Sequence, residues 1–160
     1  MTVETAKASG RRTIRFSNFD EILADVEQLA AAKSVLVVGN WSFGQVLWHL
    51  AKVMNASIDG TTIHWTAPPP LIPESIKRRV LSGSMRPGFQ LPPDAAKELE
   101  PPATSVAEGL EMIRKALQRQ RSETTREPNP FFGPLTLDEW NQLHCRHAEL
   151  HLSFVVPGVL

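Results

Sequence analysis

The chain carries no surplus of either charge. Lys plus Arg and Asp plus Glu number 17 each in 160 residues, giving a formal net charge of zero. No overall field recruits DNA, RNA or an anionic membrane, so neither nucleic-acid nor membrane binding is expected. The sequence also lacks an uninterrupted apolar run able to span a bilayer, which takes about 20 residues. Met1 to Arg15 is polar, and the twin arginine Arg11-Arg12 has no hydrophobic segment behind it. No export signal is expected there, and the expected location is cytoplasmic. Cys145 is the single cysteine, which excludes an intrachain disulfide. There is no internal repeat, no Gly-rich phosphate loop, no G-x-S-x-G elbow, no H-E-x-x-H and no pair of inward carboxylates. The best-marked phosphate-binding, serine-hydrolase and zinc-peptidase chemistries are therefore missing.

What is present is the make-up of an ordinary globular protein, 42% apolar and 21% charged. The length suggests one domain over residues 1–160, with residues 1–11 expected to be flexible. Arg11 to Phe16 alternates and reads as an extended lead-in. The first predicted helix runs from Phe19 to Ala32, after a cap at Ser17 or Asn18, with Ile22, Leu23, Val26 and Leu29 on one face. Val35 to Val38 is β-branched but has no obvious strand to pair with, so it reads as a packed connector. The second predicted helix spans Ser42 to Ile58, opened by the capping box Ser42-Phe43-Gly44-Gln45. Its inward stripe is Val46, Leu50, Val53 and Ser57, with His49 between Val46 and Val53 on that stripe.

Nine of the thirteen prolines fall between Gly60 and Ala103. Proline excludes continuous helix, so this stretch is a long crossover, with Pro73 to Leu81 a candidate short helix. The third long helix is predicted from Ser105 to Gln120 and the fourth from Thr136 to Phe154, each opened by another capping box. The basic end of the third suits a helix C-terminus and does not read as a nucleic-acid patch. Four amphipathic helices with one long connection imply an all-α four-helix bundle, the crossover allowing the second and third to run parallel.

The chemistry concentrates in Leu143-His144-Cys145-Arg146-His147-Ala148-Glu149-Leu150-His151. On a helix, His147 and His151 stand about 40° apart on one face. Leu143, His147, Leu150 and Phe154 share an apolar stripe, so that face points inward. Two neutral imidazoles at this spacing form a ready ligand pair for a divalent transition metal. His49 on the second helix is the natural third ligand, with His64 in the crossover a weaker candidate. His144 is open between ligand, second donor layer and rim. Cys145 and Glu149 lie about 160° from His147 and His151 respectively, which turns both away from the site. Glu149 is expected to be solvated. The four tryptophans read as packing, one or two of them at the mouth of the site.

Three stretches carry a family resemblance. They are Trp41-Ser42-Phe43-Gly44-Gln45 with His49-Leu50-Ala51, Phe132-Gly133-Pro134-Leu135-Thr136 leading to Trp140, and Arg146-His147 with His151-Leu152. Together they resemble the DinB/YfiT-like superfamily, most closely an uncharacterised bacterial branch defined only as a domain of unknown function. The resemblance implies a four-helix bundle in up-down-down-up order and a metal held by His49, His147 and His151, commonly zinc or nickel. Characterised relatives include thiol-dependent transferases and a glutathione- or mycothiol-dependent isomerase, and many dimerise. It thus implies a metal-dependent transferase or hydrolase of a small molecule, a low-molecular-weight thiol cosubstrate and a homodimer. The alternative is a non-enzymatic binding or assembly module with core histidines, using the crossover or the Phe131-Phe132 loop as its contact surface.

Overall fold

Capping chemistry decides where the long helices begin. In the computed structural model, which describes residues 2–159, a short 3-10 turn at Thr5–Lys7 leads into an extended segment. The elements that follow are α1 (Phe19–Ala31), β1 (Val35–Val37), α2 (Phe43–Asp59), α3 (Glu74–Ser82), α4 (Pro93–Leu99), α5 (Val106–Ser122), α6 (Leu137–Leu152) and β2 (Val155–Pro157). Asn18 caps α1 by accepting from the Glu21 amide. Ser42 with Gln45, Ser105 with Glu108 and Thr136 with Glu139 close reciprocal capping boxes on α2, α5 and α6. Each cap satisfies backbone donors that the first turn leaves free and contributes about 1 kcal/mol.

The architecture is mostly helical with one small sheet. The core joins Ile22, Val26 and Leu29 of α1 to Leu47, Leu50 and Met54 of α2, Ile113 and Leu117 of α5, and Ala148 and Leu152 of α6. Contacts give the helix directions. Gly44 meets Gly109 at the starts of α2 and α5, and Arg119 pairs with Asp59 at 2.8 Å near their ends, so these two run parallel. Glu27 pairs with Arg114 and Asp20 with Arg121, so α1 runs against α5. Ser57 meets His144 while His49 meets His147, so α6 runs against α2. The α2–α5 approach requires glycine: a Cβ on Gly109 would lie 2.7 Å from the Gly44 carbonyl oxygen, and one on Gly44 would collide with the Thr104 carbonyl.

Three sequence expectations change. Val35–Val37 is a strand, not a connector: it pairs antiparallel with Val155–Pro157, so α6 stops at Leu152, short of Phe154, as the chain turns into β2. The pairing was hidden because the partner lies at the other end of the chain. Pro92-Pro93 does not exclude helix but starts one, since Pro93 occupies the first turn of α4, where no amide hydrogen is needed. Glu149 is not solvated but 7% exposed. It does lie opposite the histidine face, but the lead-in covers that side. Its carboxylate accepts from the Phe16 amide at 2.8 Å and pairs with Arg146 at 2.8 Å. Arg146 in turn donates to the Phe16 carbonyl. Further along the same segment Arg12 grips Asp25 through two 2.8 Å bonds. No helix among the described residues is long and apolar enough to cross a membrane.

Candidate metal centre

Two helices and the crossover build the site. α2 delivers His49 and α6 delivers His147 and His151 one turn apart. One ligand atom from each of the three lies within 4.8 Å of the other two. His49 is 3% exposed, while His147 and His151 are partly exposed and open onto a cavity. The ring centroids of His49 stand 5.0 Å from those of His147 and 4.6 Å from those of His151.

Hydrogen bonding fixes the tautomer of His49. Its Nδ1 lies 2.8 Å from the Leu99 carbonyl oxygen, which only accepts, so Nδ1 carries the proton and donates. Leu99 is the last residue of α4, where carbonyls have no partner within the helix. The remaining nitrogen, Nε2, therefore presents a bare lone pair, and it faces Nε2 of His147 at 3.1 Å. Trp41 holds the other side, stacked on His151 at 5.3 Å and 4.7 Å from the His49 ring.

Electrostatics keep the rings neutral. Burial pulls His49 down to about 4, against the opposing pull of the Leu99 carbonyl. Burial first, and then the neighbouring imidazoles, hold His147 and His151 well below the ordinary histidine value. Neutral imidazoles are the ligand-competent form. Ligand nitrogens around a tetrahedral zinc stand roughly 3.3 Å apart for bonds of about 2.0–2.1 Å. The 3.1 Å His49–His147 spacing is close to that, so the donor set and its protonation fit a divalent transition metal.

The other histidines lie elsewhere. His144, 1% exposed, turns to Ser57, with Nε2 at 3.2 Å from Oγ, and stacks on Trp140 at 5.3 Å. Burial lowers its pKa to about 3. His64 is exposed in the crossover and outside the cluster. Cys145 is buried in the main core, where burial raises the thiol to about 11, and is no nucleophile.

A cavity of about 990 Å³ opens beside the three histidines. The crossover supplies much of its wall, including Ile63, Ile72, Val80 and Leu91, and α6 supplies Leu143 and Leu150. Sequence reasoning missed two parts of this site. The Leu99 carbonyl carries no side-chain signal, and only the Pro92-Pro93 helix start hinted at its position. Glu149 with Arg146 fastens the back of α6 to the lead-in, and its 3-residue spacing on the helix was the available cue.

A family model described as a protein of unknown function, DUF1569, matches residues 8–158. No curated protein matches the chain. No solved structure matches it either. With nearly the whole chain covered by that model, the protein belongs to the DUF1569 family.

Proposed function

We propose that this protein is a divalent-metal-dependent enzyme of DinB-like architecture, its four long helices forming an up-down-down-up bundle, and that it acts on a small molecule as a transferase or hydrolase with a low-molecular-weight thiol as cosubstrate. One observation carries the metal site: three neutral imidazoles from two helices converge within 4.8 Å, with the outer nitrogen of His49 already tied to Leu99. His49, His147 and His151 would hold the ion, zinc or nickel. Bound there, a divalent ion supplies Lewis acidity that brings the pKa of a water or thiol toward neutrality.

The chain's own residues do the rest. The Leu99 carbonyl orients His49 and raises its basicity as a ligand, the usual work of a second layer of partners. Trp41 keeps the His151 ring from turning. The Arg146–Glu149 pair fixes the register of α6 against the lead-in and so the aim of both its ligands. The cavity offers room for a substrate and sheds water through its apolar walls.

The 3.1 Å contact also favours a second reading. His147 could donate its Nε2 proton to His49 and form a satisfied polar core with no ion, as a binding module would require. Melting with and without chelator separates the two. A metal-holding fold loses stability when the ion is stripped, by linkage, whereas a hydrogen-bonded core does not change. Turnover is tested with the metal-loaded chain and glutathione or a similar thiol against electrophilic small molecules. Thiol consumption that disappears in His151→Ala is the expected result, and equal rates in both proteins would contradict the enzyme reading.

A further inference from the structure

The same cavity holds charges that the metal site leaves unused. Arg79 on α3 and Arg86 just beyond it both line the cavity. Neither side chain has a hydrogen bond or ion pair among the described residues. Both are exposed to solvent and so open to a ligand, whereas Arg114 is taken up by Glu27 and Arg119 by Asp59 and Glu123. Among the described residues the cavity lining contains one carboxylate, Glu100, against these two guanidinium groups. The local balance is therefore positive in a chain whose total is zero.

Much of the remaining lining is apolar, and the rim leaves large apolar side chains in the open. Phe89 is 70% exposed and Ile76 46% exposed, and both border the cavity. Phe89 is held edge-on to Phe131 at 6.1 Å, so the rim has an ordered aromatic face. Its volume of about 990 Å³ is at the upper end for small-molecule sites and far larger than a thiol headgroup or water needs. An apolar body would cover the rim and walls. An oxyanion would match the planar fork of a free guanidinium.

We propose that this cavity takes a small amphipathic anion, an aliphatic or aromatic body bearing one carboxylate or comparable oxyanion that pairs with Arg79 and Arg86. As the substrate class of the enzyme, this rests on the metal-site reading. As a binding event it needs no metal, because the arginines and the apolar walls belong to the chain alone.

Calorimetric titration of chelator-treated, full-length protein tests it, with octanoate, octyltrimethylammonium and acetate as probes. Octanoate is expected to bind at least tenfold more tightly than either of the others. The double variant Arg79→Gln, Arg86→Gln weakens octanoate about tenfold with the melting temperature unchanged, and Phe89→Asp weakens it separately through the apolar body. Octyltrimethylammonium binding as well as octanoate, or the double variant binding octanoate as tightly as the parent, overturns the proposal. Metal uptake without octanoate binding removes this proposal alone. Octanoate binding in a protein that takes up no metal removes the metal-site reading and leaves the anion site standing.

Discussion

Two polar clusters, one buried and one opening onto the cavity, sit between α2 and α6, and they are built on opposite rules. Toward the end of α2, His144 donates from Nε2 to Ser57 Oγ, which also accepts from Gln120 at 3.1 Å and donates to the Met54 carbonyl at 2.6 Å. Gln120 also donates to the Met54 carbonyl, and its own carbonyl accepts from Arg126 at 2.9 Å. The hydroxyl thus gives one proton and receives two, its full complement. Near the start of α2, His49, His147 and His151 turn nitrogens toward one another with no hydroxyl, amide or carboxylate among them. A histidine kept for core polarity looks like His144. Three that converge on one another, with Nε2 of His49 left bare by its bond to Leu99, form the arrangement the proposed ion would use.

The largest effect that sharpens this contrast is metal linkage. Protein saturated with zinc at about 1,000 times its dissociation constant should lose roughly 4 kcal/mol on chelation. The His144→Phe variant should show the same loss and His147→Ala none, read as chelator-dependent shifts in chemical denaturation. Next in size, His144→Ala should cost about 2–4 kcal/mol with or without chelator. It opens a cavity and strips Ser57 of a partner. Gln120→Leu should cost about 1–3 kcal/mol, again independent of metal, because Ser57 and Arg126 each lose a bond.

Per unit change of condition, the gentlest effect is in pH. Burial lowers the folded pKa of His144 from 6.5 to about 3, so the unfolded chain binds the extra proton first. Its contribution is fully present above 6.5 and is lost as pH falls from there toward 3. The slope from this one group is at most about 1.4 kcal/mol per pH unit. Chelated His144→Gln should show a shallower fall of denaturation midpoint between pH 6 and pH 4 than chelated parent protein; an equal fall would break the assignment.

Local rules made much of this legible. Capping boxes at Ser42, Ser105 and Thr136 mark three helix starts, and the spacing of His147 and His151 places both on one face of α6. His49 was found from its place on the apolar stripe of α2. What stayed hidden depends on distant partners. β1 needs β2 from the far end of the chain, Glu149 is buried only because the Phe16 segment lies over it, and His144 could not be assigned without Ser57. The Leu99 carbonyl was out of reach for another reason, since a backbone acceptor leaves no trace in residue identity.

Metal content decides between the two clusters most directly. Tag-free parent protein, His147→Ala and His144→Phe are loaded with zinc, desalted and analysed by elemental mass spectrometry. Near one equivalent in the parent and in His144→Phe, with almost none in His147→Ala, is the predicted result. The same substoichiometric trace in all three would contradict the account.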